Sequence, residues 1–408
     1  MNRKQLILLF LALAVLGGAS LLLLKRHDQS WSAPQGKMGQ KLFPNFPIND
    51  VAALDIQGDS AVHLARKGDA WRVRERGDYP ADFSKIKELL ITLSGLKISQ
   101  SEPIGPSQLA HMELQPPGKG AGSGTLVTFS DDKGKTIQSL LLGKKHVEQA
   151  APASQFGGGE YPNGRYVMLP ADPKVLLLIT DPLSNIETNP APWLNQQFFK
   201  IEKPASISVL STDATNSWSL SRPGETGSWA LAETNVGEML DSNKVSSLAG
   251  TFTYANFVDV ASNSAPAQTG LDKPFIIKIS TFDHFSYEIK VGNKTPEDNY
   301  FLTVSVSADL PTARTPGKDE KPEDKTKLDK EFETQTKTLQ DKLTQEKALG
   351  QWVYLVSSMQ LEPLMRQRAQ LMVEKKEEKP AEKPADSTPA SAAPEPAVST
   401  GTPAEPPK

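Results

Sequence analysis

Cysteine is absent from all 408 residues. That excludes disulfides, thiolate metal sites and a cysteine nucleophile, but does not by itself fix the compartment. Histidine is scarce. The five present, His27, His63, His111, His146 and His284, stand far apart, and no pair has metal-ligand spacing. Charge of one sign is not in excess. With 45 basic and 48 acidic residues, the net charge of -3 leaves no electrostatic footprint for nucleic acid. A Gly-x-Ser-x-Gly nucleophile elbow is also missing. The glycine-rich run 118–124 lacks the Gly-Lys-Ser/Thr ending of a phosphate loop. Gly134-Lys135-Thr136 has that ending, but Phe129 stands where the first glycine should be, so both stretches read as turns. No catalytic, cofactor-binding or metal-ligating residue emerges, and the chain reads as a non-enzyme without cofactors. A site assembled from distant residues would escape such a reading.

Long hydrophobic runs are lacking as well, with one exception. Leu6 to Leu24 is a 19-residue run whose one clearly polar member is Ser20. At about 1.5 Å per residue it is long enough to cross a bilayer core of roughly 30 Å. Small residues Gly17, Gly18, Ala19 and Ser20 also suit signal-peptide cleavage, but a cut there would fall before Leu21-Leu22-Leu23-Leu24. An uncleaved anchor is the better reading, with residues 1–26 as stub and span. Arg3 and Lys4 on one side nearly balance Lys25 and Arg26 on the other, so charge does not set the orientation. Over the whole chain, 38% hydrophobic and 23% charged residues fit a soluble body rather than a multi-pass membrane protein.

Residues 27–40 form a polar spacer. After them the chain repeats itself. Asp82 precedes a helical stripe of Ile86, Leu89, Leu90 and Leu93; Asp241 precedes a second of Val245, Leu248, Ala249 and Phe252. Each Asp is placed to cap free N–H groups. Trp71 and Trp229, Ile86 and Val245, and Leu114 and Leu271 are separated by 158, 159 and 157 residues. Gly143 and Gly292 are 149 apart, the shift falling after the Gly-rich loop of the first copy. Three nearly equal offsets in one order point to an internal repeat. Alternating segments predict strands, with hairpins over 126–142 and 275–291. The two tryptophans, at equivalent places, read as core. The predicted fold class is α+β: a transmembrane helix, then two sheet-plus-helix units at 41–200 and 201–373.

Within the second unit, residues 311–350 hold nine Lys/Arg and nine Asp/Glu. A helix starting near Lys325 would carry a narrow stripe of Leu328, Phe332, Leu339 and Leu343. Such a stripe suits either a solvated arm or a contact with a partner, and these four residues are the candidate partner contact. Met359 to Met372 reads as a closing helix. Residues 374–408, with eight prolines and no aromatic, read as a disordered tail.

The run from Lys41-Leu42-Phe43-Pro44-Asn45-Phe46-Pro47 to Leu54 resembles the opening of the domain of unknown function 4340 family. Trp71-Arg72-Val73, Pro80-Ala81-Asp82, Leu89 to Leu96 and Leu141-Leu142-Gly143-Lys144 are similar to it too. The resemblance covers roughly residues 41–373, the charged insert being a departure. That family is uncharacterised, and some members are encoded beside ABC-type transporters related to gliding machinery. The resemblance implies a single-pass bacterial inner-membrane protein with its bulk on the periplasmic side. There it would be an accessory or scaffold subunit binding ABC-type transporter membrane subunits. It brings no catalytic residues. The alternative is an envelope glycan-binding protein using a groove between the units; a hydrolase ranks third.

Overall fold

The computed structural model describes residues 38–149, 160–211, 216–233, 238–262, 265–317 and 320–373. The Leu6–Leu24 run and the tail from 374 onward lie outside them. Among the described residues, no helix is long and apolar enough to cross a membrane.

Two antiparallel sheets and few helices make up the body. The first sheet contains β1 (Ala53–Gln57), β2 (Ala61–Lys67), β3 (Ala70–Val73) and β4 (Tyr79–Pro80). After helix α1 (Phe83–Gly95) come β5 (Ile98–Pro103), β6 (Thr125–Ser130), β7 (Thr136–Gln149), β8 (Glu160–Met168) and β9 (Val175–Ile179). The second contains β10 (Pro204–Leu210), β11 (Trp218–Ser221) and β12 (Ala230–Leu231). After helix α2 (Ser242–Ala249) come β13 (Asp259–Ala261), the short α3 (Pro266–Thr269), β14 (Phe275–Thr281), β15 (Phe285–Lys294) and β16 (Asn299–Ala308). Helix α4 (Pro322–Ala348), β17 (Val353–Ser357) and α5 (Ser358–Leu361) complete it.

Strand order is β4-β3-β2-β1-β6-β7-β8-β9-β5 in one sheet and β12-β11-β10-β14-β15-β16-β17-β13 in the other. Apart from β4 the two orders correspond strand for strand. Both helices are capped alike. Asp82 accepts from the N–H groups of Ser84 and Lys85 at 3.0 and 3.3 Å, and Asp241 from those of Asn243 and Lys244 at the same two distances. The stripe of α1 is buried as its spacing predicts, through Ile86, Leu89, Leu90 and Leu93. Helix α2 is shorter. It buries Val245 and Leu248 and stops before Gly250, leaving Phe252 to enter the core from the following turn.

Two expectations need correction. Sequence alone gives residues 98–107 as a connecting segment, whereas Ile98–Pro103 form β5, which pairs with β9 at the far edge of the first sheet. The sequence of residues 173–179 suits a short helix or a strand, and Val175–Ile179 form strand β9. The closing helix over 359–372 is not one helix: α5 lasts four residues and a 3-10 turn covers Arg368–Leu371. Pro363 lies between them and lacks the N–H that would continue the helix.

Candidate functional site: the seam between the sheets and the root of the long helix

The two sheets meet edge to edge. Arg76, just before β4, forks onto Asp259 of β13, with Nε 2.6 Å from Oδ1 and an Nη 2.7 Å from Oδ2. The paired carboxylate holds the guanidinium pKa above its ordinary value against the opposing effect of burial. Beside it, Tyr79 of β4 meets Trp352, Phe257 and Tyr354 with ring centroids 5.1, 5.8 and 6.1 Å away, all edge-on. Phe198, from the segment joining the sheets, packs on Phe257 and Tyr354 at 5.2 and 4.7 Å. Edge-to-face pairs at these distances suit the ring quadrupoles. One continuous hydrophobic core runs through the seam into both units.

Helix α4 is rooted here. Proline at its first turn, Glu323 and Asp324 beside it and Lys347 in the last turn all suit a helix of 27 residues. Its charged sequence hides one buried acid. Glu346 is 5% exposed. One carboxylate oxygen accepts the Lys200 N–H at 3.0 Å; the other accepts the Tyr287 hydroxyl at 2.8 Å. One turn earlier, the Lys342 ammonium donates to the Lys200 carbonyl at 2.8 Å. Burial lifts the Glu346 carboxyl above its ordinary range, although the Lys200 and Tyr287 bonds and the Lys342 charge pull the other way. Burial next to this carboxylate pushes the Tyr287 phenol up as well, so it stays a donor.

A cleft of about 220 Å³ opens between root and seam, with Tyr79, Phe198 and Trp352 on one side and Lys342, Gln345 and Glu346 on the other. It brings one carboxyl beside apolar rings. Among the described residues no group of three His, Asp or Glu side chains is arranged to hold a metal ion. Sequence reading also passed over one cluster on the first sheet: His63 Nδ1 lies 2.5 Å from Glu75 Oε1, with Asp55 3.9 Å from the other ring nitrogen. Register could have revealed the Asp55 half, since Asp55 and His63 are cross-strand partners.

The four candidate partner residues all lie on α4 but divide into two pairs. Leu339 and Leu343 pack against the protein's own core, continuing the face that buries Glu346. Leu328 and Phe332 lie further out, partly buried but not packed against that core. There Arg314 ties the incoming loop to the helix, its Nε 2.9 Å from Asp329 and an Nη 2.6 Å from Glu320. The inner half of α4 is thus structural, and the outer half is an arm.

A family model, Domain of unknown function (DUF4340), matches residues 71–274, half of the chain. The chain belongs to this family. The match begins at Trp71 in β3 and ends at Pro274, just before β14, so it crosses from the first sheet into the second and includes the joining segment. No curated protein and no solved structure matches the chain.

Glu346 gives the root a pH dependence of known sign. Because its carboxyl is raised in the folded state, its contribution is most favourable below the ordinary value near 4.5 and is lost as pH rises through the higher folded value. Glu346→Gln keeps an oxygen for the Lys200 N–H, and Tyr287 can turn its proton to the Lys200 carbonyl, 3.3 Å away. This variant should unfold with a flatter pH profile above the carboxylate range. Glu346→Ala leaves the Lys200 N–H without its acceptor, while Tyr287 can still turn to the Lys200 carbonyl, and should cost about 1–3 kcal/mol. Denaturant titrations from pH 4 to 8 would read both; an unchanged profile for the Gln variant would remove Glu346 as the titrating group.

Proposed function

We propose that this protein is a membrane-tethered, extracytoplasmic scaffold of a bacterial envelope complex, built from two copies of one unit and engaging a partner through the outer half of α4. The observation that carries the binding role is a 27-residue helix whose inner half is fastened at the seam while Leu328 and Phe332, further out, are partly accessible and do not pack against the core. A helix fixed at one end and apolar along part of the other suits packing against a partner helix or groove. Residues 311–350 interrupt the second unit at a point where the first has a short connection between β8 and β9, so the arm is an addition to the shared unit. Tethering is supported by Leu6–Leu24, and an ABC-type transporter membrane subunit is the partner class that the family resemblance implies. The glycan-binding reading finds less support: Trp71 is buried, and the Arg222 guanidinium lies 4.9 Å over the ring of Trp229.

The test is a crosslinked pull-down of the full chain from its native membrane beside a Leu328→Asp/Phe332→Asp variant. Deleting 311–350 outright would also remove Glu346 and unfasten the body, so outer-half substitutions are the cleaner probe. Transporter subunits should accompany the unmodified chain and be lost with the variant. Recovery of the same subunits by both would remove the arm from the interaction, and recovery of no membrane protein by either would end the scaffold reading.

A further inference from the structure

The two units differ on one face. Along the outer side of α1, Phe83, Lys87 and Ile91 recur every fourth residue, and Phe83 and Ile91 are 57% and 52% exposed. At the offset of 159 that relates the helices, α2 and its C-cap carry Ser242, Ser246 and Gly250 instead. The shared fold therefore does not require large apolar residues here. The neighbouring arginines differ too. Arg66 pairs across the β2–β3 hairpin with Trp71, and Arg222 stands one rung beyond the Ser221–Ala230 pair, opposite Trp229. Arg222 is engaged: it stacks on Trp229 and its Nε donates to the Pro204 carbonyl at 2.8 Å. Among the described residues the side chains of Arg66 and Lys87 have no hydrogen bond or ion pair. Both border a hollow of about 420 Å³ floored by Trp71 and Leu90. Asp69 lines the adjoining hollow and Glu88 is exposed on α1, so the acids flank the stripe without neutralising its two free cations.

The described chain starts beside this face. Gly39 N–H donates to the Ile98 carbonyl, Lys41 bridges Lys97, and Leu42 N–H donates to Leu96, all just past the end of α1. Met38 there is 59% exposed. Thirteen residues, 25–37, separate Met38 from the Leu6–Leu24 run, a reach of at most roughly 45 Å.

We infer that the α1 face of the first unit rests on the membrane surface, with Phe83 and Ile91 entering the headgroup zone and Arg66 and Lys87 taking the phosphates of anionic lipids. The inference depends on the tethered reading above. Exposed aromatic and aliphatic side chains beside unpaired cations match the chemistry of such an interface, where rings and long basic side chains each find both an apolar and a charged environment. A tether of this reach, rooted at this face, keeps the first unit within touching distance of the bilayer.

The absence of cysteine makes the test direct. Single-cysteine full chains, Ile91→Cys and Ser246→Cys, would be spin-labelled and reconstituted into phosphatidylcholine vesicles with or without phosphatidylglycerol. Collision rates with oxygen and with a water-soluble nickel chelate then report depth. The label at 91 should be lipid-facing on the anionic vesicles, and the label at 246 should remain aqueous. Adding Lys87→Gln should cut the lipid-facing population by roughly fivefold, the effect of one surface cation. If the protein floats with vesicles but both labels are equally aqueous, this contact is overturned while the tether stands. If the protein does not float, the tethered reading fails and the contact falls with it.

Discussion

Replacing Tyr354 with alanine is expected to destabilise the protein by about 3–5 kcal/mol, the cost of emptying a large aromatic site in a closed core. Tyr354 is fully buried, and its ring centroid lies 4.7 Å from that of Phe198 and 5.1 Å from that of Phe257. These three residues come from β17, the joining segment and the stretch before β13, with Tyr79 of the first sheet closing the group. The hole would therefore open at the seam, where neither sheet can collapse into it without leaving the other. Domain stability is typically about 5–15 kcal/mol, so the loss is a large share of the whole. Tyr354→Phe separates packing from polarity. It removes the hydroxyl that bonds the Leu349 carbonyl, 3.2 Å away, and the Tyr79 hydroxyl, and should cost about 1–2 kcal/mol. Denaturant unfolding followed by tryptophan emission gives both values. The alanine variant should also split one transition into two as the units lose their shared core. A loss below about 1 kcal/mol for alanine would mean that the seam carries no packing energy.

How much of this was legible beforehand depended on the range of the contacts. The helix stripes, the aspartate caps and the hairpins are local, written in spacings of four residues or in alternation across a turn. The repeat was legible because the same local signals return in the same order. Strand β5 was not, since Ile98–Pro103 is half polar and its partner β9 begins more than seventy residues later. The seam was hidden for the same reason: Arg76 and Asp259 are 183 residues apart, and nothing around either one announces a partner. Glu346 was masked differently. It stands on the same face of α4 as Leu339 and Leu343, but in a segment of balanced charge a glutamate reads as solvated. Only the backbone of Lys200 and the hydroxyl of Tyr287 make its burial affordable. Leu328, Phe332, Leu339 and Leu343 formed one stripe in sequence. They separate in space because the body reaches only the inner two.

Gly292→Ala and Gly143→Ala should each destabilise by about 1–3 kcal/mol, with Gly292 at the upper end or beyond. An added Cβ at Gly292 would stand 2.0 Å from the carbonyl oxygen of Thr269, and one at Gly143 would stand 2.4 Å from that of Met112. Both obstacles are backbone, so no side-chain rotation relieves them. The two clashes are the same contact made twice. Thr269 precedes Leu271 by two residues, and Met112 precedes Leu114 by two, so in each unit the segment leading to a matched leucine lies directly over a matched glycine. Lys144 N–H even donates to the Met112 carbonyl at 2.9 Å. Glycine is demanded here by proximity, which explains why it marks both copies although the neighbouring loops have diverged. Gly95→Ala is the control. It lies in the last turn of α1 with open space around its Cβ position, and alanine there should be neutral or stabilising by about 0.4–1 kcal/mol. Equal behaviour of Gly292→Ala and Gly95→Ala in a denaturant titration would show that the strand and the loop can part at no cost. The paired glycines would then be coincidence, and the strand orders alone would have to carry the case for two copies of one unit.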